Sequence, residues 1–209
     1  MLGDMPSATR ALIIINVAVF ALQALYDDLL ISVFALWPIG HFPIEELHTT
    51  VGFEPWQLVT YAFLHGGFAH IALNMLALVI FGPSVEQELG TKRYLVLYFA
   101  SVISAACVQL LAVTMSAHGG VYPTIGASGG IFGVLLAFGM LFPHRIVVLL
   151  FPPIPLPAWL LVTVYGLIEL ANGVLGTEAG VAHFAHLGGM LGAYLVLHLS
   201  RGRPRLERW

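Results

Sequence analysis

The chain has 209 residues, of which 59% are apolar and 9% charged, and its mean hydropathy is +0.91. Soluble domains carry about 25% charged residues, so this composition excludes a soluble globular protein and implies an integral membrane protein that uses most of its residues for its spans. The net charge of −3 says little by itself and no nucleic-acid partner is expected; the single cysteine, Cys107, excludes an internal disulfide.

A spanning helix needs about 20 mainly apolar residues. Six stretches qualify: 11–36, 57–81, 94–116, 128–143, 155–176 and 180–199. Residues before Arg10 are too few and too poor in basic side chains for a signal peptide, so the first stretch is expected to be a retained anchor, with Ser7 as its N-cap. The segment from Trp37 to Pro55 is too polar to span; with Trp37, Phe42, Phe53 and Trp56 nearby it reads as an interfacial loop half-sunk among the headgroups. Prolines 143, 152, 153 and 155 separate the fourth and fifth helices. The fourth stretch is short: Ser128 to Pro143 is 16 residues, about 24 Å of helix against about 30 Å of hydrocarbon. Residues 121–127, with Pro123 and Gly126, are therefore expected to be non-helical at membrane depth. Such backbone is tolerated only beside protein or a watery cavity, which predicts a pocket with Ser128 at its floor.

All eight basic residues, Arg10, Lys92, Arg93, Arg145, Arg201, Arg203, Arg205 and Arg208, fall on one side of a six-span arrangement. The opposite loops hold Asp27, Asp28, Glu45, Glu46, Glu54 and Glu178. The positive-inside rule then puts both termini in the cytoplasm, and the membrane expected is the cell's inner (plasma) membrane.

The chemistry-bearing residues lie within the apolar stretches, where ionisable groups are functional candidates by default. Ser128 opens a helix within Gly126-Ala127-Ser128-Gly129-Gly130, whose glycines let backbone N–H groups approach an oxyanion. Gly129 and Gly133, like Gly188 and Gly192, have the four-residue spacing that lets membrane helices approach closely. His186 shares a helical face with Gly189, so a serine and a histidine on two closely packed helices become a candidate nucleophile and base. His70 and Asn74 share a face and offer donors for a tetrahedral intermediate. A metal or haem site is the rival use of His65, His70, His183 and His186, disfavoured because no cysteine or carboxylate joins them at ligand spacing. No third catalytic member is evident: Glu169 has no visible tie to either histidine of the last span, and Glu86 is expected at the far end from Ser128. The economical reading is a Ser128–His186 dyad with no cofactor and no metal.

These motifs together resemble the rhomboid family of intramembrane serine proteases in its compact bacterial six-helix form. They are Trp56, His70-x-x-x-Asn74, Gly82-x-x-x-Glu86-x-x-x-Gly90, Gly126-x-Ser128-Gly129 and Ala185-His186-x-x-Gly189. The resemblance implies an all-α bundle of six transmembrane helices, Ser128 as nucleophile, and His186 as general base. It further implies oxyanion stabilisation by His70, Asn74 and the Ser128 backbone N–H, and no catalytic role for His65 or His183. The implied substrates are single-span membrane proteins cut near the outer end of the span. The chain departs from the family pattern at Gln57, where arginine is frequent, at Phe132, where tyrosine often stacks on the histidine, and at Ala193, where glycine often lies. A catalytically idle relative that binds membrane clients is the alternative; a histidine-based transporter would call for internal repeats that are not evident.

Overall fold

The computed structural model describes residues 5–45, 49–115, 121–149, 152–175 and 182–201. Helix α1 (Ser7–Phe34) is followed by a two-stranded antiparallel hairpin, β1 (Phe42–Ile44) with β2 (Thr49–Val51), in which Phe42 faces Val51. A short helix α2 (Gln57–Thr60) and a 3₁₀ turn (Tyr61–Phe63) lead into α3 (Phe68–Leu89), α4 (Thr91–Met115) and α5 (Ser128–Leu141). A second hairpin, β3 (Ile146–Val148) with β4 (Pro155–Pro157), precedes α6 (Ala158–Leu175) and α7 (His183–Arg201). The protein is an all-α membrane protein apart from these two small hairpins; α1, α3, α4 and α6 are long and apolar enough to cross a bilayer, and α5 is a shorter apolar helix.

Several expected boundaries move, each for a local reason. The stretch 57–81 is not one helix: Gly67, at φ 151°, interrupts it, and the regular helix starts at Phe68. The stretch expected to be helical from residue 155 begins with a strand, and α6 starts at Ala158. Pro155 and Pro157 lack N–H donors and disfavour helical backbone in the residue before them. Ser7 is the first residue of α1 rather than its cap; Pro6 holds the cap position and makes no side-chain bond. The orphan amides of that helix are satisfied from elsewhere. Glu86 of α3 accepts from Ala8 N (2.9 Å), Thr9 N (2.7 Å), Thr9 Oγ1 (2.8 Å) and Thr91 Oγ1 (2.8 Å). A carboxylate there also complements the positive end of α1. Glu46, Glu178, Arg203, Arg205 and Arg208 lie outside the described residues.

The inward face of α1 carries polar side chains among the apolar ones Ala8, Leu12, Ile13 and Leu30, while much of its outward face is apolar. Thr9, Asn16 and Gln23 recur every seven residues and are buried, while Ile14, Val17, Leu22 and Leu25 are exposed. Asn16 donates to the Leu12 carbonyl, and Gln23 donates to the carbonyl (2.9 Å) and accepts from the N–H (3.0 Å) of His65. Gln23 thereby clamps the loop that enters α3.

The centre of the molecule is the packing of α4, α5 and α7, made possible by small residues. A Cβ on Gly129 would stand 2.6 Å from the Ala105 Cβ, and one on Gly189 would collide with the Gly129 carbonyl. Gly188 and Gly192 press on α4, at Val108 and Ser104 and at Ala100 and Ser101. The α5–α7 contact thus runs through Gly129 and Gly189, and the Gly188–Gly192 pair serves α4.

The segment between α1 and α2 has its own small core of Leu30, Ala35, Trp37, Val51 and Leu64. Gln57 organises it from within. Its carbonyl accepts from Trp37 N and Glu54 N (both 3.2 Å), and its amide donates to Val33 O (3.3 Å) and Gly52 O (3.2 Å). A neutral amide therefore ties the loop at the position where the family often carries arginine. Trp37 is buried, whereas Trp56 is half-exposed and donates to the Val33 carbonyl.

Candidate active site

Residues 121–127 are non-helical except for isolated pairing, and their backbone polar groups are supplied by neighbouring loops. Thr124 exchanges two hydrogen bonds with Leu36 (2.9 and 3.0 Å), and Gly126 N donates to the Tyr61 carbonyl (3.0 Å). Gly126 has φ 128°, in the left-handed region, and a Cβ there would stand 2.8 Å from the His70 ring. Glycine is required on both counts. This turn delivers Ser128 as the first residue of α5, where the amides of the first turn have no partner within the helix.

His186 Nε2 lies 2.9 Å from Ser128 Oγ, with His186 buried and Ser128 half-buried. Phe132, one turn along α5, stacks on the His186 ring at 4.2 Å with a 6° interplanar angle. Phenylalanine thus provides the flat support at the position where the family often has tyrosine. Ser128 and His186 open into a cavity of about 700 Å³, whose wall also includes His70, Asn74 and Gly126. His70 Nδ1 accepts from Gly66 N (3.3 Å), and Asn74 donates one amide N–H to the His70 carbonyl (3.1 Å). The pocket wall continues along apolar side chains of α3, α5 and α6, among them Ile80, Phe81, Leu135 and Leu161.

The four histidines do not form one cluster. His65 is buried edge-on against His70 (5.1 Å between centroids) and Phe20, and His183 lies edge-on to His186 (6.4 Å). The expectation that no carboxylate joins the histidines is overturned. Glu169 Oε2 of α6 is hydrogen-bonded to His183 Nδ1 (2.6 Å) and sits 2.9 Å from His186 Nδ1. Glu169, His183 and His186 place their ligand-type atoms within 4.8 Å of one another. The His183 contact at 2.6 Å is a hydrogen bond, and the 2.9 Å approach to His186 is an ion-pair distance without hydrogen-bond alignment. Sequence spacing could not reveal this tie, because it is made by the packing of α6 on α7. The signal available was an acid in an otherwise apolar helix, which must find a partner.

The rhomboid domain matches residues 52–202. The chain is 35% identical over 153 residues to the mitochondrial rhomboid protein 1 of Saccharomyces cerevisiae, covering 69% of this chain and 42% of that one. It is 28% identical over 210 residues to the mitochondrial RHOMBOID-like protein 12 of Arabidopsis thaliana, covering 93% and 59%. The rhomboid protease GluP of Bacillus subtilis is 40% identical over 82 residues, 39% of this chain and 15% of that protein. The chain thus spans less than two thirds of the length of these curated relatives. With the match running from the loop before α2 to the end of α7, the chain belongs to the rhomboid family.

Proposed function

We propose that this chain is an intramembrane serine endopeptidase that cuts single-span membrane proteins near the extracytoplasmic face. Members of the family are generally intramembrane serine proteases and some are inactive. The observation that carries the reading for this chain is the 2.9 Å approach of His186 Nε2 to Ser128 Oγ in the wall of a cavity. In the reaction, the Ser128 O–H proton passes to His186 Nε2 as Oγ bonds to the scissile carbonyl carbon. The oxyanion is met by the free amides at the start of α5 and by donors from Asn74 and His70. His186 then returns the proton to the leaving amine, and water, reaching the site through the cavity, repeats the sequence to release the acyl group.

The arrangement we propose has six crossings, with α5 and α7 among them, and a first loop lying at the interface. The distribution of basic residues supports both termini on the cytoplasmic side. The plasma membrane is proposed on the resemblance to compact bacterial members of the family; two of the relatives are mitochondrial by name.

The test is fluorophosphonate labelling of the purified protein. Wild type is expected to label, and Ser128→Ala and His186→Ala are expected not to, with thermal midpoints unchanged. Folded wild type that fails to label in detergent and in liposomes would instead favour a non-cleaving, client-binding relative.

A further inference from the structure

The inward face of α6 changes character along its length. Ala158, Leu161 and Val162, in its first two turns, are buried, and beyond them Glu169 is the buried residue. Its neighbours Leu167, Ile168 and Leu170 are exposed apolar side chains. A carboxylate facing inward from such a helix is costly unless it is partnered, and its partners are the two imidazoles of α7. The bond to His183 Nδ1 (2.6 Å) is the aligned one and fixes the carboxylate; the same oxygen then stands 2.9 Å from His186 Nδ1.

A carboxylate offers only lone pairs, and a neutral imidazole has one N–H and one bare nitrogen. Glu169 therefore favours the proton on Nδ1 of His186, which leaves the Nε2 lone pair facing Ser128 Oγ at 2.9 Å. We infer that Glu169, held by His183, is a positioning residue: it orients His186 as a base, so that the site is complete only when α6 is seated against α7. This inference rests on the serine-protease reading above. When the Ser128 proton moves to His186 Nε2, the Nδ1 proton stays on the ring and the positive charge forms beside the carboxylate; no proton passes to Glu169.

The experiment compares wild type and Glu169→Gln by fluorophosphonate labelling rate, by steady-state cleavage and by ¹⁵N NMR of the imidazole rings. The expected result is a loss of at least about tenfold in labelling rate and in kcat, smaller than the loss that follows full misplacement of a catalytic histidine's tautomer in a serine protease. KM and the thermal midpoint are expected to stay unchanged, a split that a merely structural role would not give. In wild type, His186 is expected to show the Nδ1–H tautomer, and this measurement stands whether or not the Gln variant folds. Equal labelling rates in the two proteins, or an Nε2–H tautomer in wild type, would overturn the inference. Loss of labelling in wild type itself would sink the protease reading, while the tautomer would still report whether Glu169 holds the ring.

Discussion

Asn74 illustrates how a residue's position limits its role. One of its amide N–H groups is committed to the His70 carbonyl at 3.1 Å, which fixes the side chain on the cavity wall and leaves the second N–H for an incoming oxyanion. Asn74→Ala is expected to reduce kcat about 10²-fold, the usual cost of one such donor, with wild-type thermal stability. An unchanged turnover of any cleaved substrate would remove Asn74 from the oxyanion site. Phe132 acts differently: it touches the base through a stacked ring and supplies no hydrogen bond, so its contribution is to hold the plane of His186.

At the scale of elements, buried polar side chains connect helices that have little hydrophobic driving force to associate in lipid. Glu86 joins α3 to the start of α1 and to Thr91, and Gln23 joins α1 to the loop entering α3. Glu86→Gln replaces two acceptor oxygens with one and sets an amide N–H₂ against existing donors. It is expected to cost about 3 kcal/mol of stability, since it strands buried donors, and to be seen as a lowered thermal midpoint. Labelling of Ser128 in the remaining folded protein is expected to persist, because Glu86 makes no contact with the site. A wild-type midpoint would show that the α1 amides find other partners.

At the scale of the whole molecule, α4, α5 and α7 form a close-packed centre that fixes Ser128 against His186, while α6 is buried mainly over its first turns and at Glu169. The cavity runs from Ser128 along the side chains of α3 and α6, and we place substrate access between these two helices. A disulfide linking them is expected to stop cleavage of membrane-anchored substrates while small fluorophosphonates still label Ser128. Undiminished cleavage by the cross-linked protein would rule that route out.

The sequence by itself determined the membrane class, because too few charged residues remain to cover a water-facing surface, and it placed Ser128 at a helix start, because Pro123 and Gly126 bar regular helix just before it. The burial of Thr9, Asn16 and Gln23 on α1 went unread, because the apolar character of the stretch as a whole masks their seven-residue recurrence. What only the tertiary structure decided was which polar groups meet. The contact of Glu169 with His186, the capping of α1 by Glu86 and the several bonds of Gln57 each join residues separated by loops or whole helices. In a chain where nearly every helix is apolar all round, the periodicity that would orient a helix is weak. Such pairings are set by how small residues let backbones approach, and no local spacing records them.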